Sequence, residues 1–134
     1  MVGLKNFIKQ KKGTIINIGS IAGLEVYPKG SVYCASKYGV DAFSKGLRID
    51  LNSFGVRVGT INPGMVNTEF SKIRFKGDIK KAKKVYEGII PLVAKDIANA
   101  ILFMISVPEN VTIADLTILP TAQANSSIVN RKTL

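Results

Sequence analysis

Two kinds of apolar spacing alternate along the chain and predict strands and helices in turn. Short apolar runs next to glycine, at Thr14–Gly19 and Val56–Ile61, are typical of strands buried inside a sheet. A longer segment, residues 31–54, has apolar residues three and four positions apart, which is the spacing of an amphipathic helix. The remaining predicted elements are helices at 2–10, 78–89 and 96–107 and a short strand at 116–119. Strands and helices therefore alternate through the chain.

This alternation predicts parallel strands joined by helical crossovers. We expect an α/β fold with about three strands and flanking helices. Residues 62–77 are predicted to be a loop, and the polar residues 121–134 a mobile tail. No repeat or linker divides residues 1–134, so the sequence predicts one domain.

The formal net charge of +10, from 19 Lys and Arg against 9 Asp and Glu, suggests a basic nucleic-acid-binding module as one alternative. The positive residues are spread along the chain, and their one cluster, between Lys80 and Lys84, lacks the interleaved aromatic residues of a base-stacking surface. A solvated helix face explains this cluster better. We therefore expect neither a nucleic acid nor a membrane as partner.

The scarce residue types exclude several functions. The chain has no histidine and a single cysteine, Cys34, so we expect no metal centre and no internal disulfide. It shows no signal-peptide pattern and no run of 18 apolar residues. These features favour a cytoplasmic protein.

Three residues carry the candidate chemistry. Ser20 follows the first predicted strand, while Tyr33 and Lys37 are four residues apart on the long helix and therefore share a face. An ammonium group within about 4–6 Å favours the ionised form of a phenol, which makes tyrosine a better base at neutral pH. Tyr33 could then exchange a proton with an alcohol or carbonyl oxygen that Ser20 holds by a hydrogen bond.

The positions of these residues strengthen the hypothesis. Tyr-x-x-x-Lys alone is a weak motif, and a surface tyrosine beside a solvated lysine is the simpler interpretation of it. However, Ser20 and Pro63-Gly64 each follow a predicted strand. Ligands of parallel α/β sheets lie beyond the carboxyl ends of the strands. The sequence thus predicts a ligand site where these segments meet.

With these motifs the chain resembles the C-terminal half of the short-chain dehydrogenases/reductases. The spacing of Ser20, Tyr33 and Lys37 matches the catalytic set of that family. The resemblance implies the C-terminal half of a Rossmann-like, doubly wound parallel sheet. It also implies that Tyr33 and Lys37 contact the cofactor, together with the segment that holds its nicotinamide end: Pro63, Gly64, Val66 and Thr68.

Further segments resemble one subgroup, the NADP-dependent 3-hydroxy acid dehydrogenases. These segments are Thr68–Ser71, Arg74–Asp78, Lys83, Tyr86 and Ile113–Thr121. The subgroup implies NADP as cofactor and serine, allo-threonine or 3-hydroxypropionate as the type of substrate. We expect Arg74 to bind the substrate carboxylate, because a guanidinium group binds carboxylates through two parallel hydrogen bonds. Tyr27 and Met65 are candidate walls of the substrate pocket, next to Ser20.

The chain departs from the family in two respects. The Gly-rich turn that binds the cofactor's pyrophosphate in the family has no counterpart here, and neither does the family's catalytic asparagine. We therefore expect residues 1–134 to be a partial domain without the N-terminal dinucleotide-phosphate half. One alternative is a truncated, non-catalytic remnant or dimerising fragment that cannot bind cofactor alone. The family also implies a homo-oligomer through the helix of residues 31–54.

Overall fold

The computed structural model describes residues 2–69 and 84–132. Its helices are α1 (Val2–Gln10), α2 (Ser31–Leu51) and α3 (Ala94–Ser106), its strands are β1 (Gly13–Ile18), β2 (Val56–Pro63) and β3 (Asp115–Ile118), and short 3₁₀ turns cover Ile21–Gly23 and Asn52–Phe54. The prediction of an α/β fold with three strands and flanking helices is confirmed.

The three strands form one parallel sheet in the order β1-β2-β3. Gly13 pairs with Val56 and Ile18 with Ile61, while Pro63 pairs with Ile118. The strands therefore all end at the same edge of the sheet. The loops that follow them meet there, which is where ligands of such sheets bind.

The central strand β2 forms the core. Val58 and Ile61 are fully buried, and Met104 of α3 covers β2 with 1% of its surface exposed. Gly59 allows this close packing, since a Cβ atom at that position would lie 2.5 Å from the carbonyl oxygen of Ile113 and 2.9 Å from Met104 Cε. Burial of such apolar side chains is the main favourable term in folding.

Arg48 connects α2 to the other side of the same strand. Its Nε donates to the carbonyl of Val58 at 2.7 Å, and its Nη2 donates to the carbonyl of Ala114 at 2.8 Å. The same Nη2 lies 3.5 Å from a carboxylate oxygen of Asp115. Arg48 therefore fixes α2, and with it the residues at the start of that helix, relative to β2 and β3.

Two predicted helices differ from those observed. Helix α3 begins at Ala94 rather than at residue 96, because the Asp96 carboxylate accepts a hydrogen bond from the backbone N–H of Val93 at 2.8 Å and caps the helix from inside its first turn. The helix predicted at 78–89 lies partly outside the described residues, and its described end is shorter than expected. Residues 85–88 form turns in which Gly88 has a φ of +72°, a conformation that ends helices.

The prediction of a mobile tail is wrong for residues 121–132, which we call the C-terminal segment. The segment folds back on itself, with the N–H of Asn130 donating to the carbonyl of Ala122 at 2.8 Å. Asn125 Oδ1 accepts hydrogen bonds from the N–H groups of Ser127 and Ile128 at 2.9 and 2.7 Å. The polar residues of the segment thus bind its own backbone, a local use of Asn that composition alone does not distinguish from solvation.

The C-terminal segment is also attached to the rest of the fold. The N–H of Ser126 donates to a carboxylate oxygen of Glu25 at 2.8 Å, and the N–H of Lys132 donates to the carbonyl of Gly88 at 3.0 Å. The segment therefore joins the loop after β1 to the turn at 85–88. None of the helices within residues 2–69 and 84–132 combines the length and the apolar character needed to cross a bilayer.

Candidate active site

A cavity of about 710 Å³ opens beyond the carboxyl ends of β1 and β2. This volume is within the range of about 300–1,000 Å³ that is usual for small-molecule sites. Nine of the sequence-predicted site residues line it: Ser20, Tyr27, Tyr33, Lys37, Pro63, Gly64, Met65, Val66 and Thr68. The remaining one, Arg74, lies outside the described residues. The structure therefore brings together all the predicted site residues that it describes.

Ser20 is placed at the cavity by the end of β1. The N–H of Gly19 donates to the carbonyl of Ile61 at 2.8 Å, which extends the pairing with β2 by one residue. A Cβ atom at position 19 would overlap the side-chain oxygen of Asn62, so only glycine allows this approach. Ser20 follows, with 8% of its surface exposed, and its Oγ accepts from the N–H of Ala22 at 3.1 Å. That bond uses a lone pair of Oγ, and the hydroxyl proton stays available for a ligand oxygen.

Tyr33 and Lys37 lie in the first two turns of α2. Lys37 Nζ is 5.9 Å from the centroid of the Tyr33 ring, which brings an ammonium group close to the phenol. Nζ also donates to the carbonyl of Ile18 at 3.1 Å, so Lys37 connects α2 to the end of β1. Gly23 also allows the backbone after β1 to pack closely against α2, because a Cβ atom there would lie 2.7 Å from the carbonyl oxygen of Lys37. The two segments that carry Ser20 and Tyr33 are thereby held against each other.

The ammonium group of Lys37 is partly buried. Burial lowers the pKa of Lys37, because removal of water disfavours the charged ammonium. The same loss of water reduces the screening between this ammonium and the Tyr33 ring.

The turn after β2 is held by a residue that sequence reasoning missed. Gln123 is 6% exposed, and its Oε1 accepts from the N–H of Met65 at 2.8 Å. A Cβ atom at Gly64 would overlap the same oxygen, which explains the need for glycine there. The N–H of Gly64 donates to the carbonyl of Ile118 at 2.8 Å. The turn is therefore fixed from both β3 and the C-terminal segment.

The far wall of the cavity comes from residues 85–101 and the C-terminal segment. The Tyr86 hydroxyl donates to the carbonyl of Val66 at 2.8 Å, and the N–H of Asn67 donates to the carbonyl of Leu92 at 2.7 Å. Small and apolar residues of α3 complete this side: Ala94, Ile97, Ala98 and Ile101. The cavity therefore combines apolar side chains with the polar groups of Ser20 and Tyr33, a combination that orients a small ligand.

The charge of the cavity lining is positive. Among the described residues that line it, the only charged ones are Lys37 and Arg131, and none is Asp or Glu. Sequence reasoning missed Arg131, because it placed this residue in a tail. The part of the chain that the structure describes also contains no group of three or more His, Cys, Asp or Glu residues that could hold a metal ion. The lining therefore favours an anionic or polar ligand held by hydrogen bonds.

Comparison with known proteins assigns the chain that carries this site to a family. The short chain dehydrogenase family model matches residues 2–78, and the chain belongs to that family. Two relatives are NADP-dependent 3-hydroxy acid dehydrogenases: one from Schizosaccharomyces pombe is 44% identical over 94% of this chain, and one from Escherichia coli K12 is 41% identical over 93%. The resemblance stated from the sequence motifs is confirmed.

Solved structures agree with this assignment. A structure described as the closed form of serine dehydrogenase complexed with NADP+ matches with a TM-score of 0.88 and 40% identity, covering 97% of this chain and 53% of the other. Serine dehydrogenase from Escherichia coli matches with a TM-score of 0.71 and 33% identity, covering 90% and 46%. The chain spans about half the length of the curated relatives it matches, 49% for the S. pombe protein and 51% for the E. coli one.

Proposed function

We propose that this chain carries the reacting groups of an NADP-dependent short-chain dehydrogenase whose substrate is a short 3-hydroxy acid or its carbonyl counterpart. The observation that supports this most directly is that Ser20, Tyr33, Lys37 and the Pro63-Gly64 turn line one cavity. The names of the relatives, which describe dehydrogenases of 3-hydroxy acids and of serine, support the choice of substrate.

The described residues fit the nicotinamide end of the cofactor. Pro63, Gly64, Val66 and Thr68 line the same cavity as Tyr33 and Lys37. Lys37 has three N–H donors, of which the Ile18 carbonyl takes one. The others are available for ribose hydroxyls. Bound NADP would supply the acceptor or donor of a hydride.

The proposed chemistry assigns one role to each polar group. During oxidation, a hydride leaves C3 of the hydroxy acid while Tyr33 takes the proton of the 3-hydroxyl group, so that the C–O single bond becomes a carbonyl. Ser20 Oγ donates a hydrogen bond to the reacting oxygen and holds it next to Tyr33. Lys37 stabilises the phenolate that accepts the proton. Reduction follows the same steps in reverse.

The first test is binding of NADPH to the 134-residue chain, measured by fluorescence titration and followed by turnover with serine and 3-hydroxypropionate. Saturable binding in the micromolar range together with turnover would support the proposed function. Absence of binding would instead support the alternative of a non-catalytic remnant, which keeps the reacting groups without holding the cofactor. The role of Arg74 as a carboxylate ligand and the cytoplasmic location stay predictions.

We also propose that α2 mediates self-association. One face of this helix is exposed along its length, with Val32 84% and Phe43 63% exposed. Gly39 and Gly46 lie on the same side, and a Cβ atom at either would meet nothing within 4 Å. Residues spaced in this way line one face of a helix, and glycines on that face permit close approach of a second helix. The length of α2 and these exposed apolar residues support a homodimer through residues 31–54.

Phe43→Asp should weaken this dimer, because the substitution places a charge in the proposed contact. We expect sedimentation equilibrium to show a dimer for the unchanged chain and a shift towards monomer for the variant. Leu102→Asp is the matched control, since Leu102 of α3 is 61% exposed but lies on another helix. An unchanged molecular mass for Phe43→Asp, or an equal shift for both variants, would argue against α2 as the interface.

A further inference from the structure

Arg131 lines the cavity and its side chain is hydrogen-bonded to the backbone of residues 85–87. Its Nη1 donates to the carbonyl of Glu87 at 2.5 Å and its Nη2 to the carbonyl of Val85 at 3.0 Å. The backbone on either side of it is also fixed, since the N–H groups of Asn130 and Lys132 donate to the carbonyls of Ala122 and Gly88. A side chain held in this way loses little conformational freedom when a ligand binds.

The positive charge of Arg131 is not neutralised within the described residues. A guanidinium group has five N–H donors, and the two backbone carbonyls take two of them. Both partners are uncharged, and no carboxylate within residues 2–69 and 84–132 forms an ion pair with Arg131. The lining of the cavity contains no acidic residue either. Arg131 therefore gives the cavity a positive charge, with guanidinium N–H groups that remain available to an anion.

We propose that Arg131 binds the carboxylate of the substrate, in addition to the contact predicted for Arg74, and makes the site specific for an acidic alcohol; this inference rests on the function proposed above. A guanidinium group matches a carboxylate with two parallel hydrogen bonds. Lys37, the other cation of the lining, already donates a hydrogen bond to the Ile18 carbonyl and lies beside the Tyr33 ring. Ser20 and Tyr33 would then hold the reacting hydroxyl, while Arg131 holds the acid group of the same molecule.

The test compares two substrates that share the reacting alcohol, of which only one carries a charged acid group. The methyl ester of 3-hydroxypropionate keeps the reacting alcohol and lacks the carboxylate. We expect Arg131→Gln to raise the KM for 3-hydroxypropionate by about 10–30-fold with little change in kcat, and to leave the kinetics of the ester nearly unchanged. The expected effect is below that of a fully buried pair, because Arg131 is exposed to solvent.

Two further variants separate recognition from folding. Arg131→Lys keeps the charge without the planar fork, so we expect it to recover part of the affinity for the acid. Lys132→Gln is the matched control, because it removes one positive charge next to Arg131 at a residue outside the cavity lining, and it should behave as the unchanged chain. A parallel loss for acid and ester in Arg131→Gln would show a structural role and overturn the proposal, as would an unchanged KM for the acid.

Failure of the proposed function gives a different result. If the chain with NADP turns over neither the acid nor the ester, the proposed activity is wrong, and calorimetric titration with 3-hydroxypropionate then decides the role of Arg131. If 3-hydroxypropionate binds saturably to the unchanged chain and to Lys132→Gln but not to Arg131→Gln, the result supports a carboxylate site. Equal binding by the unchanged chain and Arg131→Gln, or no binding to either, overturns it.

Discussion

Tyr33→Phe should reduce kcat by about 10²–10⁴-fold, which is the usual contribution of a general acid or base. The substitution removes only the hydroxyl that we propose exchanges the proton, and it keeps the ring beside Lys37. Because the Ile18 carbonyl holds Lys37 independently of Tyr33, the cofactor side of the cavity should keep its shape. We therefore expect the Kd for NADPH, measured by fluorescence titration, to change by less than about 3-fold, on the order of 0.6 kcal/mol.

Tyr38→Phe is the matched control for this prediction. Tyr38 lies on the same helix, is 43% exposed and does not line the cavity, so loss of its hydroxyl should leave kcat and NADPH binding unchanged. Near-normal turnover by Tyr33→Phe would remove Tyr33 from the mechanism. A loss of NADPH binding as large as the loss of kcat would show that the phenol hydroxyl serves the cofactor more than the proton transfer.

Local patterns explain why much of the site could be predicted. The run from Thr14 to Gly19 and the run from Val56 onward are short, apolar and next to glycine, so each marks a strand without knowledge of the rest of the chain. Residues after such strands in a parallel sheet gather at one edge. The positions of Ser20 and of the Pro63-Gly64 turn therefore follow from spacing, and the four-residue separation of Tyr33 and Lys37 places them on one face of a helix.

The residues that sequence reasoning missed depend on distant contacts. Gln123 accepts a hydrogen bond from Met65, 58 positions earlier, and Arg131 donates to Glu87, 44 positions earlier. Neither residue belongs to a local pattern, since each is one polar residue in a polar segment. The hydrogen bonds from Arg131 to the carbonyls of Val85 and Glu87 also hold the short turns at 85–88. Periodicity does not contain this information, because it reports only the neighbours of a residue along the chain.

The contacts of Arg57 lead to a second prediction, on stability. Arg57 lies near the amino end of β2, at the edge of the sheet opposite the cavity, and its Nε donates to Thr14 Oγ1 at 3.0 Å. Its two Nη atoms donate to carbonyls at and after the end of α3, those of Ile105, Val107, Pro108 and Val111, over 3.0–3.2 Å. The last carbonyls of a helix have no partners within it, so a cation there satisfies them and also interacts favourably with the helix dipole.

Arg57→Met should lower the free energy of unfolding by about 2–4 kcal/mol, because several carbonyls lose a charged donor at once. For a domain of this size, that loss corresponds to a fall in Tm of roughly 5–15 °C, measured by circular dichroism. Arg57→Lys should recover part of it, since an ammonium keeps the charge but reaches fewer carbonyls. Lys95→Met, at an exposed lysine of α3, controls for the loss of charge and should leave Tm nearly unchanged.

Because Arg57 lies away from the cavity, its effect on the stability of the fold can be measured separately from any effect on cofactor binding or turnover. The cavity lies beyond the carboxyl ends of β1 and β2, while Arg57 joins their amino ends to α3. Below its Tm, Arg57→Met should therefore bind NADPH with the affinity of the unchanged chain, whereas Tyr33→Phe should melt normally and lose turnover. A Tm for Arg57→Met within about 2 °C of the unchanged chain, less than the shift expected for 1 kcal/mol, would contradict this account. It would mean that water satisfies the carbonyls at the end of α3 as well as the guanidinium does.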